Sequence, residues 1–140
     1  MSNVSGILPS AAAPQAVTVI RAEWNQHREE MIETLGPKGF AALLEIFISR
    51  NDQCLADMDA RREDLPALRE TAHTLKGGAS FLGFEDLTAL ARSLEEACKQ
   101  GIAELAVPLI DEVKQMLVLA DAQARALLNE VIAMDTRAAA

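Results

Sequence analysis

From residue 18 onward, apolar residues recur every three or four positions, and the phase of that repeat resets four times. This is the periodicity of amphipathic α-helices and not of strands. The first stretch, 18–35, aligns Ile20, Trp24, Met31 and Leu35 on one face. Gly36 ends it, and Pro37 suits the first turn of the next helix, where its missing N–H costs nothing. The second, 37–61, repeats through Phe40, Leu43, Leu44, Phe47, Cys54 and Met58. Asp64 is placed to cap the third, with Pro66 in its first turn and Gly83 at its end. Glu85 and Asp86 favour the start of a fourth, whose stripe is Leu87, Leu90, Ala91, Leu94, Ala97 and Cys98, closed by Gly101. A fifth begins between residues 103 and 107, so that Pro108 falls in its first two turns. It continues through Leu109, Val113, Met116, Leu117, Ala120, Ala124 and Leu127 to about Met134. Long amphipathic helices with short links predict an all-α fold, an antiparallel up-down four-helix bundle with an additional N-terminal helix.

Composition agrees with this class. Half of the residues are apolar but only 4% are aromatic, so the enrichment that marks strands is missing. A formal charge of −8 argues against nucleic acid as a partner, because phosphate backbones need a basic footprint. No apolar run reaches the roughly 20 residues that span a bilayer, which points to a cytoplasmic protein with no membrane partner. Residues 1–16, rich in Ser, Ala, Gly and Pro, lack the basic and apolar regions of a secretion signal and are expected to be disordered. Residues 17–135 then form the domain and 136–140 a flexible tail. Cys54 and Cys98 both fall on apolar faces and read as reduced core residues.

The third helix carries the candidate chemistry in "AHTLKGGASFLG", residues 72–83. At about 100° per residue, Leu68, Ala72, Leu75, Ala79 and Leu82 form one stripe, and His73 points away from it into solvent. Lys76 and Ser80 lie on the same side, Arg69 one turn before and Gly77 one turn after. A neutral imidazole is a nucleophile near pH 7, an ammonium at i+3 can hold phosphoryl charge, and a glycine at i+4 leaves the approach open. Gly in a helix interior costs about 1 kcal/mol relative to Ala. Gly77, on the solvent side, is therefore assigned to access, and Gly78, at the edge of the stripe, to close packing. Glu70 is the nearest carboxylate in sequence, too little for a metal site, and no nucleophilic triad is visible. His27, between Trp24 and Met31, reads as a packed or boundary histidine. Phe81 falls outside the core stripe, as a docking contact or a side chain folded under its neighbours.

His73, Thr74-Leu75, Lys76, Gly77, Gly78, Ala79 and Gly83 together resemble the signature of the histidine-containing phosphotransfer (HPt) domains of phosphorelays. That signature reads His, two variable residues, Lys, Gly, one variable residue, Ala or Ser, and a closing Gly. The resemblance implies that His73 is phosphorylated on its outer ring nitrogen and exchanges the phosphoryl group with an aspartate of a receiver (response-regulator) domain. It also implies that the receiver brings Mg2+, so the chain needs no cofactor or metal of its own, and that docking uses the second and third helices. Lys76 is then the counter-charge, Gly77 the steric opening and Ser80 a polar neighbour. "HTLKGGASFLGFEDLTALARSLE" further resembles the histidine-phosphorylated domain of chemotaxis-type kinases. There a glutamate on the next helix accepts a hydrogen bond from the inner ring nitrogen, a position matched by Glu95, while Arg92 departs from the polar residue, often His, of that subgroup.

The expected function is a monomeric phosphocarrier between receiver domains in a two-component phosphorelay, without ATP binding or autokinase activity of its own. The alternatives are the phosphoryl-accepting domain of a larger hybrid or chemotaxis-type kinase, and a receiver-binding module that has lost transfer.

Overall fold

The computed structural model describes residues 20–139, which contain four helices: α1 (Gln26–Ala60), α2 (Leu65–Phe81), α3 (Glu85–Gln100) and α4 (Ala103–Ala139). The expected disorder of residues 1–16 lies outside this range. The additional N-terminal helix is residues 26–35 of α1, set off by a break at Gly36, whose φ of 77° and ψ of 167° only glycine adopts without strain. Pro37 follows in the first turn beyond the break, as its position implied.

The first helix starts eight residues later than the repeat implied. Residues 20–25 are non-helical, and Asn25 caps the helix by accepting from the Arg28 backbone N–H at 2.9 Å. This segment is held on α4 instead. The Gln123 side-chain amide bonds both the Glu23 N–H and the Arg21 carbonyl, and Trp24 Nε1 donates to Glu130 at 2.9 Å. Ile20, on this non-helical segment, and Leu35, next to the Gly36 break, remain exposed. At the other end α4 runs to Ala139, beyond the stop expected near Met134.

Core burial follows the remaining stripes closely. Leu68, Ala72, Leu75 and Ala79 of α2 and Leu82 just beyond it, with Leu87, Ala91, Leu94, Ala97 and Cys98 of α3, are all buried. They meet Phe40, Leu44, Phe47 and Met58 of α1 and Val113, Leu117, Ala124 and Leu127 of α4. Each large aliphatic side chain so buried contributes about 1.5–3 kcal/mol before the entropy of ordering is counted. Leu90, Leu109 and Met116 are only partly covered. Cys54 and Cys98 are free thiols, and burial pushes Cys54 up to about 11, so it is unreactive at neutral pH.

The turn from α2 to α3 is fixed twice. Phe84 N–H bonds the Ala79 carbonyl and Gly83 N–H the Ser80 carbonyl, with Gly83 at φ 78°, the left-handed stop that its sequence position predicted. Arg28, 3% exposed, then donates to the carbonyls of Leu82, Gly83 and Glu23 and lies 4.5 Å over the Phe84 ring. His27 does not pack in a stripe. With the helix starting at Gln26, its ring is exposed and donates from Nε2 to the Phe81 carbonyl at 2.7 Å. Two neighbouring side chains of α1 thus bond three successive carbonyls at the end of α2. Replacing Arg28 with Ala removes the bonds to the Leu82, Gly83 and Glu23 carbonyls and should destabilise the protein by about 3 kcal/mol in urea unfolding. A loss below 0.5 kcal/mol would contradict this assignment.

Candidate functional site

α2 and α3 are adjacent antiparallel helices joined by the tight turn at 82–84, and they pack on each other more extensively than any other pair. Small residues at Ala72, Ala79 and Ala91 let them approach. That register brings His73 of α2 opposite Glu95 of α3. His73 Nδ1 lies 2.7 Å from Glu95 Oε2, and Lys76 Nζ lies 2.6 Å from Glu95 Oε1. One carboxylate therefore serves two donors. The His73 side chain is 68% exposed, while those of Glu95 and Lys76 are 15% and 27% exposed.

The Lys76 hydrogen bond holds the Glu95 carboxyl below its ordinary range, the His73 bond adds to this, and partial desolvation opposes both. Glu95 is thus ionised at neutral pH and can only accept. The proton it receives must sit on Nδ1. In the neutral ring this leaves the lone pair on Nε2, the nitrogen turned away from α3 toward solvent. Fixing a tautomer through the inner nitrogen is what an orienting carboxylate does for a metal-bound histidine, and here it acts on a free one.

A Cβ built on Gly77 meets nothing within 4 Å, so this flank of His73 is open. Gly78 is also exposed, and a Cβ there would stand 4.0 Å from Phe47 Cδ1, an ordinary contact. Close packing therefore does not require glycine at Gly78, because α1 and α2 stand apart at this level. Ser80 is exposed on the same flank as His73, and its hydroxyl bonds neither His73 nor Lys76 among the described residues. No group of three or more His, Cys, Asp or Glu capable of holding a metal occurs among those residues.

The Hpt domain family model matches residues 42–125, more than half of the chain, and spans every side chain just described. The chain belongs to the Hpt domain family. No curated protein and no solved structure shows a significant match to it. Hpt domains are histidine phosphotransfer modules of phosphorelays, phosphocarriers rather than kinases, and they interact with receiver domains. In this Hpt domain α1 and α2 touch least of the packed helix pairs, and a groove of about 400 Å³ opens between them beside His73. Thr74 and Gly78 lie in its wall with Phe47 and Leu75, and Ile46 and Phe81, 48% and 55% exposed, add apolar surface to it. Phe81 stays exposed instead of folding under its neighbours.

The pairing of Lys76 with Glu95 was not anticipated from sequence, although both residues project from the facing flanks of their helices. No helix of the described residues is long and apolar enough to cross a membrane.

Two outcomes follow from this geometry. Because its folded pKa is depressed, Glu95 stabilises the fold above the ordinary carboxyl range, and that contribution is lost as pH falls through the lowered value. Carboxyl 13C titration should place its midpoint below 4.5 and return it toward that value in Lys76→Ala; an unchanged midpoint in the variant would refute the coupling. Gly77→Ala, with open space for the methyl group, should raise stability by about 1 kcal/mol. Destabilisation there would show a backbone constraint that the geometry lacks.

Proposed function

We propose that His73 is the phosphoryl acceptor of this Hpt domain and that it exchanges the group with aspartates of receiver domains. The observation that carries this reading is the Nδ1–H bond to Glu95, which leaves Nε2 as an exposed nucleophile. It is also the arrangement that the local likeness to chemotaxis-type kinases implies. In the forward step the Nε2 lone pair attacks the phosphorus of a receiver's aspartyl phosphate. An N–P bond forms, the P–O bond to the aspartate breaks, and the carboxylate leaves with its electron pair. The ring gains a positive charge, which the Glu95 carboxylate offsets through the proton retained on Nδ1, so no proton need be removed. The reverse step returns the group to a second receiver.

In this reading Glu95 positions the ring, Gly77 keeps its flank open, and Lys76 supplies positive charge beside it. Ser80 is a polar neighbour without an assigned bond. The receiver contributes Mg2+ and the acidic pocket, so most of the transition-state stabilisation is the partner's and this chain contributes alignment and charge. Docking along the α1–α2 groove fits its apolar walls, and a monomeric, cytoplasmic carrier fits the single small bundle.

The test is uptake of label from a phosphorylated receiver, compared with ATP alone. The protein should label only with the receiver. His73→Gln should abolish labelling while leaving the helical signal intact, and Lys76→Ala should slow it roughly tenfold, the loss expected for one charge-assisted contact. Gly77→Leu should block transfer from the receiver. Label taken up by His73→Gln, or by the unaltered protein from ATP alone, would refute the reading.

A further inference from the structure

α4 carries two rows of side chains next to each other. One, Ala106, Ile110, Val113, Leu117 and Ala120, is buried in the bundle. The other precedes it by one residue at each step: Leu105, Leu109, Met116 and Leu119, with Glu112 in the middle. Its alternating spacing of four and three is the seam along which one helix meets another. The bundle covers this second row only in part. Leu109 and Met116 are partly buried, whereas Leu105 and Leu119 are 53% and 58% exposed.

A second groove, of about 660 Å³, runs between α3 and this row. Ala97, Leu105, Pro108 and Leu109 form its apolar wall. Glu96, Glu104 and Glu112 stand on its rim against one cation, Arg92. None of the three carboxylates forms an ion pair among the described residues, and Glu96 accepts only from the Gln100 side-chain amide. The acids on the α1 flank of α4 are answered within the chain: Asp111 pairs with Arg62, Asp121 with Arg125, and Asp59 of α1 with Lys114. On the α3 flank the negative charge is left uncompensated beside exposed apolar surface. This flank also faces away from the histidine. At about 100° per residue, Ser93 and Gln100, which line the groove, lie about 150° round α3 from Glu95.

We propose that the α3–α4 groove and the exposed row of α4 form a docking surface for a basic amphipathic helix of another protein. Apolar side chains of that helix lie along Leu105, Leu109, Met116 and Leu119, and its Lys or Arg residues meet Glu96, Glu104 and Glu112. Charge complementarity selects this occupant. The acidic rim repels a second copy of a chain with net charge −8 and repels anionic lipid, while it attracts a cationic helix. A partner held here leaves His73 and the α1–α2 groove uncovered, so the surface serves as a tether and does not depend on the phosphoryl chemistry proposed above.

The test uses the full chain and a fluorescent Leu/Lys amphipathic peptide of about 18 residues, long enough as a helix to cover the row. Binding is read by anisotropy, with a Leu/Glu peptide of the same pattern as control. The Leu/Lys peptide should bind, more weakly as salt rises, and the Leu/Glu peptide should not. Glu104→Gln/Glu112→Gln and Leu105→Gln should each weaken binding about fivefold, the size expected for two exposed charge contacts or one half-covered Leu. Two controls should leave it unchanged: Glu29→Gln/Glu33→Gln, with the same charge change on residues 26–35, and Val118→Gln, 55% exposed but outside the row. No binding of the Leu/Lys peptide, unchanged binding in the groove variants, or equal weakening in the controls would overturn the proposal. So would a dimer in sedimentation that Leu105→Gln abolishes, which assigns the row to a second copy. Binding to anionic vesicles that Leu105→Gln abolishes would likewise overturn it, assigning the row to a membrane.

Discussion

The packing of α2 against α3 is the constraint on which the site depends. A His exposed on one helix and a Glu on the flank of the next meet only if the two helices are close and in one register. The alanines at 72, 79 and 91 provide the closeness, and the Leu82–Gly83–Phe84 turn provides the register. Once they are met, the carboxylate is shared by His73 and Lys76 and the imidazole has one orientation. The catalytic economy of such a domain follows. In the proposed reading it needs to present one nitrogen with a lone pair and little else, the metal and acid being assigned there to the receiver.

The rest of the bundle secures that hairpin from one end. Arg28 and His27 bind the carbonyls at 81–83, so the start of α1 caps the end of α2. Arg28 in turn lies on Phe84, which stacks at 5.0 Å on Phe47 of the second half of α1. A buried guanidinium is costly unless its donors are satisfied, and burial lowers the pKa of Arg28 while Glu23 and Glu85 oppose that shift. At the other end, Arg61 reaches Thr71 at 2.8 Å, and Asp59 joins Arg62 and Lys114 at the surface. Between these ties α1 and α2 diverge, which opens the groove whose wall includes Thr74 and Gly78, the neighbours of His73 on α2.

Much of this was legible in the sequence because it rests on periodicity. The stripe of α2 was read residue for residue, and with it the outward direction of His73. The Gly36 break, the Asp64 cap and the stops at Gly83 and Gly101 were readable because glycine, proline and capping residues act through local backbone energetics. The start of α1 was misread because residues 20–25 carry helix-like spacing but find better partners on α4, at Gln123 and Glu130, a hundred residues away. The Gly78 assignment failed for a similar reason, since the distance between α1 and α2 is a tertiary quantity. Within the site, the His73–Glu95 contact was suggested by resemblance and by the flank position of Glu95. The second bond of Glu95, to Lys76, depends on side-chain reach across the seam, which a helical wheel does not contain.

The most direct measurement is the ring-nitrogen 15N spectrum of His73 in the unphosphorylated protein in mildly alkaline solution, where an imidazole is neutral. The Glu95 contact predicts a protonated Nδ1 and an unprotonated Nε2, with the pattern collapsing toward the mixture of a free imidazole in Glu95→Ala. A predominantly Nε2-protonated ring in the unaltered protein would contradict the account, because the exposed nitrogen would then have no lone pair to offer.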